Sequence, residues 1–249
     1  FYLYRQVTHR LVKLALIGTF FLTLSTIMGT SSRGAVIGIM ALGGLAFIRN
    51  PNKLRNALIA VSFIVAAFSV APEHWTNRMD TISDADQDTS FMGRAIAWKQ
   101  STLIALDHPV FGGGFHAVQD FEIWTKYAQE FHKLDVIPTN PPNPFRAFAA
   151  HSIYFQTLGD LGFFGLGIFL CILISSWQNA SMTIQASGSR PELQWAGELA
   201  KALQYSIFAY AVSGAALNMA YFDLIYMIFA ILVALRQLTM SDLSKAAAT

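Results

Sequence analysis

The chain has 249 residues, 54% of them hydrophobic and 13% charged, with a mean hydropathy of +0.43 and a formal net charge of +2. That composition is too apolar and too weakly charged for an ordinary soluble domain, and it describes an integral membrane protein. The small net charge gives no support to nucleic-acid binding, and Cys171, the single cysteine, excludes an intrachain disulfide and any cysteine-based metal cluster.

The chain opens FYLYRQVTHR, with neither an initiator Met nor the short apolar segment and small-residue cleavage site of a signal peptide. We expect a longer protein, with earlier spans before Phe1. Crossing the bilayer core takes about 20 apolar residues, fewer where neighbours shield a short helix. Six stretches are candidates: 11–30, 34–48 and 57–71, then 153–177, 203–219 and 221–235. The expected organisation is an all-α polytopic membrane protein with three helices in 1–72, a large and partly helical loop domain over 73–150, and three more helices with a cytoplasmic tail in 151–249.

Sidedness follows from basic residues in short loops. Arg5, Arg10 and Lys13, then Arg49, Lys53 and Arg55, then Arg190 and Lys201, and finally Arg236 and Lys245 all fall on one face if there are six spans. That face is expected to be cytoplasmic. The long loop, with six basic and ten acidic residues, then lies outside together with the Ser31-Ser32-Arg33-Gly34 turn.

Inside the loop, Phe91, Ala95, Trp98, Thr102 and Ala105 recur at spacings of three and four, which predicts an amphipathic helix over 90–106. Asp107-His108-Pro109 ends it, and Gly112-Gly113-Gly114 predicts a flexible turn. A second helix, lying on the membrane surface, is expected within 117–131, and Asn140-Pro141-Pro142-Asn143-Pro144 returns the chain to the membrane as an extended segment.

Three residues stand out as candidates for chemistry. Arg33, on an outer turn, either snorkels to lipid headgroups or offers its planar fork to a phosphate, with Gly34 leaving room for close approach. Arg94, expected in the first turn of the loop helix, either pairs with Asp86 or Asp88 or joins the helix N-terminus in attracting an anion. His151, at the mouth of a membrane helix, either bonds to the backbone or serves as a general base toward a hydroxyl. Asp160, nine residues on, stands roughly 13 Å farther along that helix, too far to orient His151, so pairing with another span is its expected role. Asp84-Ala85-Asp86-Gln87-Asp88 resembles the start of a calcium loop, but Thr89 and Ala95 stand where that loop needs Gly and Glu, which favours a solvated, helix-capping run. Asp84-Ala85-Asp86 also has the spacing of metal-dependent, nucleotide-sugar glycosyltransferases, but nucleotide sugars belong to the cytoplasmic side.

Three segments together resemble the bacterial O-antigen ligase and polymerase superfamily: Thr30-Ser31-Ser32-Arg33-Gly34-Ala35; Gly93-Arg94 through Trp98 to His108-Pro109 and Phe111-Gly112-Gly113-Gly114; and Ala150-His151-Ser152-Ile153-Tyr154-Phe155 through Gly159-Asp160-Leu161-Gly162. Their wording is closest to the O-glycosylation ligases of the exosortase-associated system. The resemblance implies a GT-C-like membrane glycosyltransferase with about a dozen helices and a large periplasmic loop, placed in the bacterial inner membrane with its site facing the periplasm. It implies a glycan donor on undecaprenyl diphosphate, an acceptor hydroxyl such as that of the lipid A core, and neither metal nor cofactor. Asp160 stands where many relatives carry Glu, a departure that keeps the charge.

In that setting Arg33 and Arg94 would steady the diphosphate as its charge grows, and neutral His151 would take the acceptor proton. Arg146, His116, Trp98 and Asp160 are expected to contact substrate. An O-antigen polymerase or a protein O-glycosylation ligase is the alternative within the superfamily. A transporter or flippase is the alternative from another class; it predicts charged groups near mid-membrane and broken helices in related halves of the chain.

Overall fold

The computed structural model describes residues 2–29, 33–49, 52–53, 89–134, 139, 143, 146–188 and 190–248. The expected span at 57–71, the acidic run from Asp84 to Asp88 and most of the Asn140-to-Pro144 segment lie outside the described residues. Among the described residues every regular element is helical: α1 Tyr2–Gln6, α2 Arg10–Gly29, α3 Arg33–Arg49, α4 Thr89–Asp107, α5 Phe121–Ala128, α6 Ile153–Ser187, α7 Gln194–Gly214 and α8 Asp223–Ala248. Short 3-10 turns occur at Phe131–Leu134 and Pro191–Leu193. Among the described residues three stretches are long and apolar enough to cross a membrane, Arg10–Ile27, Ile153–Ser187 and Asp223–Ser244, while the apolar stretch Gly34–Arg49 is shorter. The chain divides into two compact units, one of Phe1–Ala71, Leu173–Val212 and Asp223–Thr249, the other of Pro72–Ile172 and Ser213–Phe222.

In the first unit, α2 matches the expected span closely. Its Thr19, Thr23 and Thr26 hydroxyls donate to the carbonyls of Ala15, Thr19 and Leu22 at 2.9, 2.8 and 2.9 Å. Polar side chains thereby cross an apolar phase with their donors satisfied inside the helix. α7 differs from its expected bounds, beginning at Gln194 and ending at Gly214. Glu198 and Lys201 interrupt apolarity, not helicity, since both are good helix formers. Glu198 accepts from Gln6 at 3.0 Å and pairs with Arg5 at 3.2 Å. Arg49 donates to Gln204 at 2.6 Å and lies over the Trp177 ring at 5.2 Å, and Arg236 donates to Asn179 at 2.7 Å. Two arginines that the sequence assigns to one face thus meet the same stretch of α6.

The second unit has its core around α4. Ile96, Ala97, Leu103 and Ile104 pack with Ala117, Val118, Trp124, Tyr127 and Phe131. The expected apolar face through Phe91, Trp98 and Thr102 is only one side of this helix, because α4 is covered on several sides and even Lys99, Gln100 and Ser101 are buried. α5 is shorter than the expected second helix and starts where Asp120 caps it, its carboxylate accepting from the Ile123 amide at 3.0 Å. Trp124 and Tyr127 turn the apolar face of α5 into the core of the unit, a packing that the membrane-surface expectation did not include. The Tyr127 hydroxyl donates to Asp107 at 3.0 Å; burial first and Asp107 second push its pKa up, so it remains a donor.

α6 is not one straight span. Gly162, at φ 69° and ψ −172°, breaks it in a conformation open to glycine. A Cβ on Gly165 would collide with that of Leu161, although residues four apart in a continuous helix keep their Cβ atoms about 5–6 Å apart. The chain therefore bends sharply at Gly162. The Gly112-Gly113-Gly114 turn, expected to be flexible, is docked there instead. Gly113 and Gly114 amides donate to the carbonyls of Gly159 and Asp160 at 2.9 and 3.0 Å, and the Pro109 carbonyl accepts from the Phe163 amide at 2.8 Å. Both sets of backbone groups freed by the break find partners on this turn. A Cβ on Gly112, itself at φ 63°, would lie 2.5 Å from the Gly162 nitrogen, so the approach requires glycine.

Candidate functional site

Arg94 lies in the second turn of α4, not the first, because the helix begins at Thr89. Phe91, Arg94 and Trp98 share one side of α4 by their spacing. Across that side runs the segment that ends at His151. The Phe148 ring fills the space beside Gly93, where a Cβ would lie 3.2 Å away, and the Trp98 indole donates to the Ala150 carbonyl at 2.6 Å. Trp98 also stacks on Phe155, with centroids 4.9 Å apart and planes 8° from parallel. The carbonyl just before His151 is therefore held by a side chain that packing has already immobilised.

His151 is exposed, with its backbone in the left-handed region at φ 45°. A non-glycine residue there is strained, and such strain persists where surrounding contacts enforce it. Desolvation first and the positive charge of Arg94 second lower the His151 pKa below its ordinary value of 6.5. The imidazole is thus neutral at neutral pH and free to accept a proton.

His116 and Asp160 belong to a second cluster. His116 is also left-handed, at φ 63°, and its Nδ1 is 3.2 Å from Gln119 Oε1. The next amide, that of Ala117, donates to Asp160 Oδ1 at 3.0 Å, while the Tyr221 hydroxyl donates to Asp160 Oδ2 at 3.0 Å. Asp160 is buried, and its partners come from the turn before α5 and the segment before α8. Arg146 is exposed, with its guanidinium 5.2 Å from the Phe148 ring centroid. Arg33 is the first residue of α3; its side chain and Thr30-Ser31-Ser32 lie outside what the structure describes.

No sequence pattern singles out Phe148, Phe155 or Tyr221: Phe155 lies beside His151 in an apolar run, and no spacing relates Phe148 to Gly93 or Tyr221 to Asp160. Their signals are tertiary. The structure joins Arg94, Trp98 and His151 in one group and His116, Asp160 and Tyr221 in another.

No curated protein matches the chain. A family model described as O-antigen ligase matches residues 18–170. The matched stretch runs from within α2 through α3, α4 and α5 to the middle of α6, with Arg33, Arg94 and His151 inside it. It exceeds half of the 249 residues, and with the apolar helices it makes this a multi-pass membrane protein: the chain belongs to the O-antigen ligase family.

Proposed function

We propose that the chain is an inverting, metal-independent glycosyltransferase of GT-C architecture with about six spans, the short ones shielded by their neighbours. It moves an O-antigen-type glycan from undecaprenyl diphosphate to an acceptor hydroxyl, first of all on the lipid A core, at the periplasmic face of the bacterial inner membrane. What supports this reading is that the Arg94 charge is felt at His151, beside the Trp98 bond to the Ala150 carbonyl, and that desolvation and this charge favour the neutral imidazole. As the acceptor oxygen bonds to the sugar C1, the bond from C1 to the diphosphate oxygen breaks on the opposite face. His151 takes the acceptor proton, Arg94 and Arg33 stabilise the leaving diphosphate, and the anomeric centre inverts. The donor carries its own activation, so no cofactor is called for. Arg146 and His116, both exposed, are the further candidates for glycan contact.

The break in α6 is a feature that transport proteins use, but here its freed carbonyls and amides are taken up by the 109–114 turn. That capping supports a rigid site over an ion path. The test is reconstitution with purified lipid-linked glycan and a panel of acceptors: lipid A core, protein and free glycan. We expect transfer to one acceptor class, and a fall of about 10²–10⁴-fold for His151→Ala in protein that still inserts. Near-normal transfer by that variant would overturn the base role. Movement of lipid-linked glycan across liposomes lacking acceptor, with no transfer when acceptor is added, would sink the enzyme reading.

A further inference from the structure

The turn at 109–115, sequence PVFGGGF, carries no charged residue yet exposes Phe111 at 80%, Phe115 at 70% and Val110 at 49%. An uncharged, aromatic turn standing free of its own core in an otherwise polar loop needs an apolar phase to cover it. Its position says which one. Through the Pro109 carbonyl and the Gly113 and Gly114 amides it is bonded to α6 on both sides of Gly162.

Gly162 also marks a change in the surroundings of α6. Before it, Gln156, Thr157 and Asp160 are buried polar residues; after it, Phe163, Phe164, Ile168 and Ile174 are exposed apolar ones. Residues 163–187, at 1.5 Å each, extend about 37 Å and exceed the ~30 Å hydrocarbon core without help from 153–161. A span that begins after the bend would put Gly162 near one edge of the bilayer, and with it the turn bonded to it.

Part of the turn's backbone is already paired. The Gly112, Gly113 and Gly114 amides donate to the carbonyls of His108, Gly159 and Asp160, and Pro109 has no amide hydrogen to satisfy. Each such pairing lowers the cost of entering an apolar solvent. Phe115 meets the Tyr221 ring edge-on at 5.1 Å, and the Tyr221 hydroxyl reaches Asp160, so one end of this aromatic pair is apolar and the other is hydrogen-bonded, as in the aromatic belts of membrane proteins.

We propose that the 109–115 turn is a membrane-inserted foot of the loop domain, with Phe111 and Phe115 among the acyl chains of the leaflet on the loop side. The foot fixes the depth of the loop domain against the bilayer, independently of the reaction assigned to the site.

The test uses the full chain in phospholipid nanodiscs with Cys171→Ser and single cysteines at Phe111, Phe115, Phe164 or Glu122, each carrying a nitroxide. Collision with oxygen, which concentrates in lipid, is compared with collision with a nickel chelate, which stays in water. Labels at 111 and 115 are expected to favour oxygen as the lipid reference at 164 does, and unlike the water reference at 122. Nickel accessibility equal to that at 122 would overturn the proposal, and so would shielding from both agents, which means that protein covers the turn. A second measurement leaves the turn unsubstituted: diazirine-bearing phospholipids are photolysed around the wild-type chain and adducts are located by peptide mass spectrometry. Adducts within 109–115 are expected; adducts confined to the membrane helices would overturn the foot.

Discussion

His151 and Arg94 define each other's usefulness. A histidine at ordinary pKa is partly protonated near pH 6.5 and is then no base; desolvation and Arg94 move His151 below that value. Transfer that depends on neutral His151 therefore holds at neutral pH and declines as the pH falls through the lowered His151 pKa and the imidazole protonates. Arg94→Gln removes the second of the two lowering causes, so the His151 pKa rises and the acid limb of the residual transfer activity moves to higher pH. A limb that stayed in place, or moved down, in the pH–rate profile of Arg94→Gln would break the link between the two residues. The sequence made both residues visible as ionisable groups in recognisable wording. It carried nothing of the Trp98 bond to Ala150 or of the left-handed backbone at His151, because these depend on a segment 52 positions farther along lying across α4.

At the scale of elements, α6 shows what apolarity conceals. The run from Ile153 onward is apolar enough to read as one span, and 35 residues would extend about 52 Å if straight. Two glycines flank Asp160, but the sequence does not say which of them breaks the helix. Gly162 does, since a Cβ there would lie 2.6 Å from the Pro109 carbonyl oxygen and its φ of 69° strains any other residue. Gly162→Ala is expected to destabilise by more than about 1 kcal/mol, seen as a lower melting temperature in detergent. Gly43→Ala, with nothing within 4 Å, changes only helix propensity and is expected to leave melting unchanged or raise it slightly. Equal melting of the two variants would contradict the docked turn. Elsewhere α2 and α4 follow their sequence bounds to within a residue or so, because periodicity and apolarity are local properties that one helix displays by itself.

At the scale of the whole molecule, the loop domain has a core of its own, centred on Trp124. That side chain is fully buried, edges onto Phe148 at 5.8 Å and donates its indole hydrogen to the Asn143 carbonyl at 3.0 Å. Trp124→Ala is expected to cost about 3–5 kcal/mol and to open residues 89–150 to limited proteolysis while the membrane helices stay protected. Cleavage no faster than in the wild type would show that the loop does not rest on this core. Chain composition alone determined that the protein crosses a membrane repeatedly, and the motif order alone pointed to its family. Hydropathy and apolar periodicity located most of the described helices, since each is a property of neighbouring residues. Which residues meet was decided only by tertiary structure: Trp98 with the Ala150 carbonyl before His151, Tyr221 with Asp160, and a glycine turn with a broken helix. Such meetings join positions tens of residues apart, and they are set by shape and hydrogen-bond closure in three dimensions, which no local pattern encodes.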